Sequence, residues 1–329
     1  MKIPVGVIGV GSAWETQRLP ALRAVPDRFE VTAVCDPVGH RAEQAARTLG
    51  ADVHDGFHAL IQRNDVEAVI VYSSEWYGAL PIYAACDAGK GVYCAAALEL
   101  RDEEAADLRD RVRDAGVAFM TEFPCRLSPA TLRLKELIAT KLGRPRLLFC
   151  NRRELSGASR SSREPCSVDL IELVDWCRYV AEEEPTSLVG SMHRGGGGDA
   201  SEYFSVSLEF SPPGEFGTGP LAVIACGEYV APQYEESLAY RRPADMKVVC
   251  ERGIAFLDMP STLIWFNEAG QHLERLEHER PVGEQMLLHF HRAVESLVLK
   301  TASLEDAHRA ISIASKARQS ARSGQRVFL

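Results

Sequence analysis

The N-terminal part of the chain alternates short apolar runs with amphipathic stretches. The apolar runs have the length of single β-strands, and helical periodicity follows most of them. The predicted strands lie at residues 5–9, 29–35, 51–54, 68–72, 91–94 and 118–120. The predicted helices lie at 14–25, 41–49, 57–62, 80–88 and 103–115. Because apolar strands joined through helices are typical of parallel sheets covered on both faces, we predict a doubly wound α/β Rossmann domain over residues 1–123.

The pattern changes after Phe123, where longer segments with period-two alternation are separated by turn residues. The predicted strands lie at residues 145–152, 203–210, 221–228, 246–251, 253–258 and 261–266. The predicted helices lie at 130–142, 168–180, 283–300 and 304–322. We therefore predict an α+β domain over residues 124–329, with an open, mostly antiparallel sheet and helices on one face.

Composition and charge narrow the range of partners. The 329 residues carry a net charge of −9, with no dense basic run, which argues against a nucleic-acid partner. The opening apolar run is too short for a secretion signal or a membrane span, so we expect a cytoplasmic protein with no membrane partner. The nine cysteines are scattered singly, as is typical of reduced, buried thiols. There is no HExxH sequence, and we expect no metal site.

A dinucleotide-binding signal follows the first predicted strand. Gly9 permits a tight turn there, and Gly11 lets the backbone approach a pyrophosphate at a helix N-terminus. Asp36 stands 25 residues after Gly11, at the end of the second strand, where an acidic side chain accepts a ribose hydroxyl. An aspartate repels a 2′-phosphate, so we expect NAD rather than NADP, although Arg41 is close in sequence. The alternative is that the glycines only form a turn, that Asp36 only caps the next segment, and that Trp14, at the third glycine position, fills the groove.

Several motifs, in this order, resemble the glucose–fructose oxidoreductase / inositol dehydrogenase (Gfo/Idh/MocA) family. They are Val7-Ile8-Gly9-Val10-Gly11, Val34-Cys35-Asp36-Pro37, Ala88-Gly89-Lys90-Gly91-Val92, Arg126-Leu127-Ser128-Pro129-Ala130 and Leu142-Gly143-Arg144-Pro145. The resemblance implies a two-domain NAD(P)-dependent enzyme for sugars, cyclitols and related polyols. It also implies that residues 124–329 serve substrate binding and oligomerisation, with a homodimer or homotetramer built on the second-domain sheet. The expected cofactor contacts are Gly9, Gly11, Ser12, Ala13, Asp36, Ser73, Ser74 and Ala95.

The chain departs from the family at the positions that carry its chemistry. The family's Glu-Lys-Pro maps onto Ala95, Ala96 and Ala97, and alanine can donate no proton. The family's usual histidine maps onto Glu172, with Asp175 three residues later on the same helix face. Our candidates for proton transfer are Glu172, Asp175 and Tyr77, and those for substrate contact are Arg126 and Ala96. The alternative is a surface carboxylate at Glu172 and an ion pair between Asp175 and Arg178.

Two functions of different classes remain open from the sequence. The first is an NAD(P)-dependent oxidoreductase that acts on a polyol-like substrate, with proton transfer moved to Glu172 or Tyr77. The second is a catalytically inactive nucleotide- or ligand-binding protein, or a scaffold, that keeps the same fold. Binding of a nucleotide or ligand without turnover would distinguish the second function from the first.

Overall fold

The computed structural model describes residues 1–11, 13–73, 77–94, 102–155, 167–195, 202–296 and 302–329. These residues form two compact units. The first unit comprises Met1–Pro124 and Pro281–Arg309, and the second comprises Cys125–Arg280 and Ala310–Leu329. The first unit thus takes in a segment that the sequence-based boundaries assign to the second domain. That segment carries Phe290, whose ring stacks on Phe29 at 6.1 Å between centroids.

The first unit is built on a parallel sheet. Its strands are β1 (Ile3–Ile8), β2 (Phe29–Cys35), β3 (Asp52–His54), β4 (Ala68–Val71), β5 (Gly91–Cys94) and β6 (Phe119–Thr121). Its helices are α1 (Leu19–Ala24), α2 (Gly39–Leu49), α3 (Phe57–Ile61), α4 (Leu80–Asp87), α5 (Asp102–Ala115) and α8 (Val282–Glu295).

The strand order of this sheet is β3-β2-β1-β4-β5-β6. Every residue of β4 and β5 is buried, as expected for strands with helices on both faces. The chain moves outward from β1 to β3 and then returns to β4, on the other side of β1. Such a reversal of strand order marks the point at which open parallel sheets bind ligands, outside the carboxyl ends of the strands.

The second unit is built on a nine-stranded sheet with helices. Its strands are β7 (Pro145–Leu155), β8 (Ser187–Arg194), β9 (Glu202–Glu209), β10 (Leu221–Val230), β11 (Met246–Cys250), β12 (Gly253–Asp258), β13 (Thr262–Asn267), β14 (Gly270–Arg275) and β15 (Val327–Phe328). Its helices are α6 (Pro129–Leu137), α7 (Ser167–Ala181) and most of α9 (Ala302–Ser323).

The strand order of the second sheet is β14-β13-β12-β11-β7-β10-β9-β8-β15. Among the described strand pairs of this sheet, only β7–β10 is parallel. One face is covered by helices. Cys150 of β7 contacts Cys177 of α7, with 3.6 Å between the sulfurs, and a Cβ at Gly190 of β8 would lie 2.4 Å from a carbonyl of α9. The predicted fold class, a Rossmann domain followed by an α+β domain with an open and mostly antiparallel sheet, is confirmed.

Several elements differ from the prediction. The helix expected over 283–300 ends at Glu295, because Ser296 has an extended backbone. Strands β8, β14 and β15 were not predicted, and neither was a 3₁₀ segment at Pro232–Leu238. Strand β14 is a mostly exposed edge strand, and β15 has two residues, so neither shows a strong apolar alternation.

Candidate functional site

The turn after β1 has the backbone geometry of a phosphate-binding loop. Gly9 and Gly11 have φ angles of 71° and 68°, a region that favours glycine. The Gly9 N–H donates to the Cys35 carbonyl at 2.8 Å, and a Cβ on Gly9 would lie 2.5 Å from the Ser73 carbonyl oxygen. Among the described residues there is more space around Gly11, since a Cβ there would meet only the Ser73 Cβ, at 3.6 Å. Gly9 therefore closes the turn against the β4 loop, and Gly11 leaves a cradle.

Asp36 joins this turn to the end of β2. Its side chain is buried, its Oδ2 accepts the Val10 N–H at 2.7 Å, and its Oδ1 accepts the Val38 N–H at 2.8 Å. The carboxylate thus caps the segment after β2, which was the alternative interpretation of this residue. A carboxylate has about four lone-pair sites, so this capping leaves acceptor capacity for a ribose hydroxyl.

Trp14 lies in a widened first helical turn. Residues Trp14–Arg18 form a π-helix, in which the Arg18 N–H donates to the Ala13 carbonyl at 3.2 Å. The indole is only 4% exposed and contacts the Tyr72 ring edge-on, with 6.0 Å between centroids. Its Nε1 is buried, and no described residue accepts its hydrogen. The wide turn therefore accommodates the large side chain at the position of the third glycine.

Taken together, these residues fit a dinucleotide. Gly11 provides an open cradle, Ala13 begins the helix, Ser73 borders the turn, and Asp36 offers acceptor sites. The remaining predicted cofactor contacts, Ser12, Ser74 and Ala95, lie outside the described residues.

Tyr77 lies at the Asp36 side of the sheet edge. Its hydroxyl is 3.9 Å from the Cys35 sulfur, and its ring meets Phe57 edge-on at 4.9 Å. Burial raises the pKa of Tyr77 to about 12, with Cys35 and Asp36 adding to the effect. The phenol therefore keeps its proton at neutral pH, beside β2 and not beside β4–β6.

A charged cluster that the sequence interpretation missed lies at the carboxyl ends of β4–β6. Glu122 follows β6, forms an ion pair with Arg18, and accepts a hydrogen bond from the Tyr93 hydroxyl at 2.7 Å. Its side chain is 3% exposed. Burial lowers the pKa of Arg18, but the Glu122 carboxylate more than offsets this and raises it. The sequence signal for Glu122 is its position directly after an apolar strand. Its partner Arg18 lies 104 residues away along the sequence, so the pair itself has no local signal.

In the second unit, Glu172 of α7 is held by β7 and by the backbone. Its Oε2 accepts from Arg152 at 2.7 Å, and its Oε1 accepts the Cys125 N–H at 3.3 Å. Arg152 also forms an ion pair with Asp169. Burial, and the nearby Glu172 carboxylate, raise the pKa of the Cys125 thiol. Glu172 is therefore a paired carboxylate at the β7–α7 contact, with 12% of its side chain exposed.

Asp175 is more deeply engaged than Glu172. Its side chain is 1% exposed, and both of its oxygens accept from Arg126. Arg178 lies 3.7 Å from the same carboxylate and pairs with Glu184 at 2.7 Å. The expected Asp175–Arg178 pair is thus present, but Arg126 is the closer partner.

The structure therefore brings Glu172, Asp175 and Arg126 together in the second unit, and it gathers Gly9, Gly11, Ala13, Asp36, Ser73 and Tyr77 in the first. Ala96 lies outside the described residues.

Within the described ranges no group of three or more His, Cys, Asp or Glu side chains is arranged to hold a metal ion. The eight described cysteines are buried, and no disulfide bond joins any two of them. None of the described helices is long and apolar enough to cross a membrane.

A cavity of about 550 Å³, with charged and apolar side chains in its lining, opens beside Arg152 in the second unit. Its charged lining comprises Arg152, Arg153, Glu154, Arg242 and Asp245. Arg242 and Asp245 form an ion pair, and Arg152 connects the cavity to Glu172. The cavity lining therefore holds both hydrogen-bond donors and acceptors, together with apolar side chains such as Leu173 and Met259.

Comparison with known proteins relates residues 3–123 to GFO_IDH_MocA, an oxidoreductase family with an NAD-binding Rossmann fold. A D-xylose 1-dehydrogenase (NADP(+)) from Haloferax volcanii is 31% identical over 139 residues, which are 42% of each chain. The chain thus matches less than half of that relative's length.

Similarity to solved structures extends over the whole chain. An aldose-aldose oxidoreductase from Caulobacter crescentus, complexed with glycerol, has a TM-score of 0.85 at 15% identity and full coverage of both chains. A levoglucosan dehydrogenase in complex with NADH and levoglucosan has a TM-score of 0.82 at 17% identity, with 100% and 99% coverage. At these identities the similarity shows the fold. Residues 3–123 are therefore similar to the NAD-binding Rossmann domain of the Gfo/Idh/MocA oxidoreductase family, and the chain as a whole has the fold of these solved structures.

Proposed function

We propose that this protein is an NAD-dependent oxidoreductase that acts on a sugar, cyclitol or related polyol. The observation that carries the proposal is the glycine turn linked to Asp36 through the Val10 N–H. When bound, NAD(H) accepts or supplies the hydride. The names of the similar proteins, which include a xylose dehydrogenase and a levoglucosan dehydrogenase bound to NADH, support a sugar-like substrate.

The preference for NAD over NADP rests on charge. Asp36 stands at the end of β2, where a ribose 2′-phosphate would add negative charge beside a buried carboxylate. Arg41 is an exposed residue of α2 and offers the opposite charge. We assign the larger effect to Asp36, because it is buried and directly bonded to the glycine turn, whereas an exposed arginine is screened by solvent.

We assign substrate binding and proton transfer to the second unit. Glu172 keeps some exposure, so it is our first candidate to move the proton of the substrate hydroxyl. Asp175, fully engaged with Arg126, is better suited to hold that arginine in position for substrate contact. The charged donors and acceptors that line the cavity beside Arg152 suit the hydroxyl groups of a polyol. Tyr77 remains a weaker catalytic candidate, since its phenol lies with Cys35 and Phe57.

The sequence-based domain roles, with residues 1–123 for the cofactor and residues 124–329 for substrate and assembly, are part of this proposal. Assembly is supported by the second face of the nine-stranded sheet. A row of side chains crosses that face in register, and in it Lys247 stands between Phe149 and Phe256 with its ammonium over the Phe149 ring. The apolar members of the row are Val223, Phe149, Phe256, Ile264 and Leu273. Leu273 is 54% exposed, and the other four are half-buried within the described part of the chain. We propose a homodimer or homotetramer that covers this row.

The experiment is a screen of sugars, cyclitols and their keto forms for changes in NADH absorbance, with wild type and Glu172→Gln. We expect turnover in wild type, and a loss of about 10²–10⁴-fold in the variant with unchanged NADH affinity. If the variant is as active as wild type, Glu172 is not the proton-transfer group.

A second candidate function is a binding protein without turnover. The ion pairs that engage Glu172, Asp175 and Arg126 favour it, because these groups are already satisfied by the protein. NADH binding with no turnover on any polyol tested would support this function over the first.

A further inference from the structure

The Arg18–Glu122 pair lies on one side of the carboxyl edge of the first sheet. Tyr72 directly follows β4, and its N–H donates to the Ile8 carbonyl, at the end of β1, at 3.0 Å. Glu122 directly follows β6, and its N–H donates to the Cys94 carbonyl, at the end of β5, at 2.9 Å. Because the carboxyl ends of parallel strands meet at one edge, these residues lie at the edge where this fold binds ligands.

Arg18 reaches this edge from the π-helical turn. Its guanidinium lies 5.2 Å from the Tyr72 ring centroid and forms an ion pair with Glu122. Among the described residues Glu122 is its one ion-pair partner, and that pair uses Nη1. A guanidinium has five N–H donors, so most of them remain for a ligand.

The pair presents its positive end outward. The Arg18 side chain is 21% exposed, whereas that of Glu122 is 3% exposed and is also bonded to the Tyr93 hydroxyl. The Glu122 carboxylate is therefore the buried end of the ion pair, and the Arg18 guanidinium is the end that a ligand can reach. If the pair only anchored the helix to β6, neither the exposure of Arg18 nor its remaining donors would be needed.

The direction of a bound dinucleotide follows from Asp36. The acidic residue after β2 marks the ribose of the adenosine half, and the pyrophosphate lies at the glycine turn. The nicotinamide half then extends from the turn toward the ends of β4–β6, on the other side of β1. Arg18 is the cation that the described first unit presents there beside Tyr72.

We propose, on the basis of the proposed function, that Arg18 contacts the nicotinamide half of the dinucleotide and makes the protein bind NADH more tightly than NAD⁺. The nicotinamide ring is positively charged in NAD⁺ and neutral in NADH, so a nearby fixed cation disfavours only the oxidised form.

The test measures the affinities of NADH, NAD⁺ and ADP-ribose by calorimetry for wild type, Arg18→Gln and Arg18→Lys. Arg23→Gln, at an exposed position of α1, which directly follows the π-helical turn, is the matched control. We expect wild type to prefer NADH over NAD⁺ by about tenfold, from one partly screened charge. Arg18→Gln should remove most of that preference, and Arg18→Lys should retain part of it. The affinity for ADP-ribose, which lacks the nicotinamide, should be unchanged in every variant.

Two results would overturn this proposal, and a third would refute the proposed function on which it rests. Equal weakening of all three ligands by Arg18→Gln would assign Arg18 a structural role at the start of the helix. An unchanged NADH preference would remove Arg18 from the nicotinamide side. Failure of wild type to bind any of the three ligands would instead refute the proposed function itself. Thermal unfolding of each variant, with Arg18→Lys as the conservative change, separates loss of binding from loss of folding.

Discussion

Glu172 and Asp175 differ in how completely the protein satisfies their carboxylates. Asp175 accepts from Arg126 with both oxygens and is 1% exposed. Glu172 shares Arg152 with Asp169 and is 12% exposed. Removal of one partner from a buried ion pair leaves the other charge uncompensated, which is more destabilising than the loss of an exposed pair. The two residues should therefore respond differently to loss of charge.

We expect Asp175→Asn to lower the free energy of unfolding by about 2–4 kcal/mol, because it leaves Arg126 and Arg178 without their shared carboxylate. Glu172→Gln should lower it by about 1 kcal/mol, because Asp169 still neutralises Arg152. Urea unfolding of the two variants measures both effects. An equal loss of unfolding free energy in the two variants would contradict the distinction drawn here, in which Asp175 positions Arg126 and Glu172 is more available for proton transfer.

The residues of the candidate site could be found from the sequence only where they lie close to a local signal. Gly9 and Gly11 follow an apolar strand, and Asp36 ends the next one, so strand spacing alone predicts their proximity. Arg18 and Glu122 are 104 residues apart, and no local pattern joins them. The same holds for Arg126, whose closest acidic partner in space is 49 residues away.

At the scale of elements, apolar runs in the sequence predict the strands of the parallel sheet well, whereas they do not predict the edge strands of the second sheet. Strands β4 and β5 are buried along their whole length, so hydrophobicity alone reveals them. Strand β8 lacks a regular alternation, and its pairing with β9 supplies the order that its own sequence does not. A periodicity argument takes no account of pairing between strands, even between strands that are neighbours in the sequence.

An edge of the second sheet is attached to α6 by a charged contact. Glu274 of β14 accepts from Arg133 of α6 at 2.7 Å and from the Trp265 Nε1 of β13 at 2.8 Å. The hydrogen bond from Arg133 lowers the pKa of Glu274 below its ordinary value of 4.5. A lowered carboxyl pKa contributes stability that is present above the unfolded-state value and is lost as the pH falls through the folded-state value.

We therefore expect Glu274→Gln to destabilise the protein by about 1 kcal/mol or less at pH 7, because both partners are partly exposed. The difference between variant and wild type should shrink as the pH falls below 4.5. Thermal unfolding of both proteins from pH 7 to pH 3 measures this. A difference that stays constant over that range would mean that the contact acts through packing and not through charge.

At the scale of the whole molecule, the row of side chains on the open sheet face bears on assembly. We expect light scattering to give the mass of a dimer or tetramer for wild type. Leu273→Asp places a charge in the row and should shift the mass toward the monomer. The matched control is Val53→Asp, at an exposed position of β3 in the first unit, which should leave the mass unchanged. A monomeric wild type would remove the assembly proposal.

The most direct test of the account is titration of the purified protein with NADH and with NADPH, followed by calorimetry. The link between the glycine turn and Asp36 predicts specific NADH binding at micromolar concentrations, and NADPH binding weaker by about tenfold or more. Asp36→Asn keeps an acceptor for the backbone but removes the charge, so it should narrow the difference between the two nucleotides. Absence of binding by either nucleotide would contradict the account, and would mean that the fold persists without its cofactor.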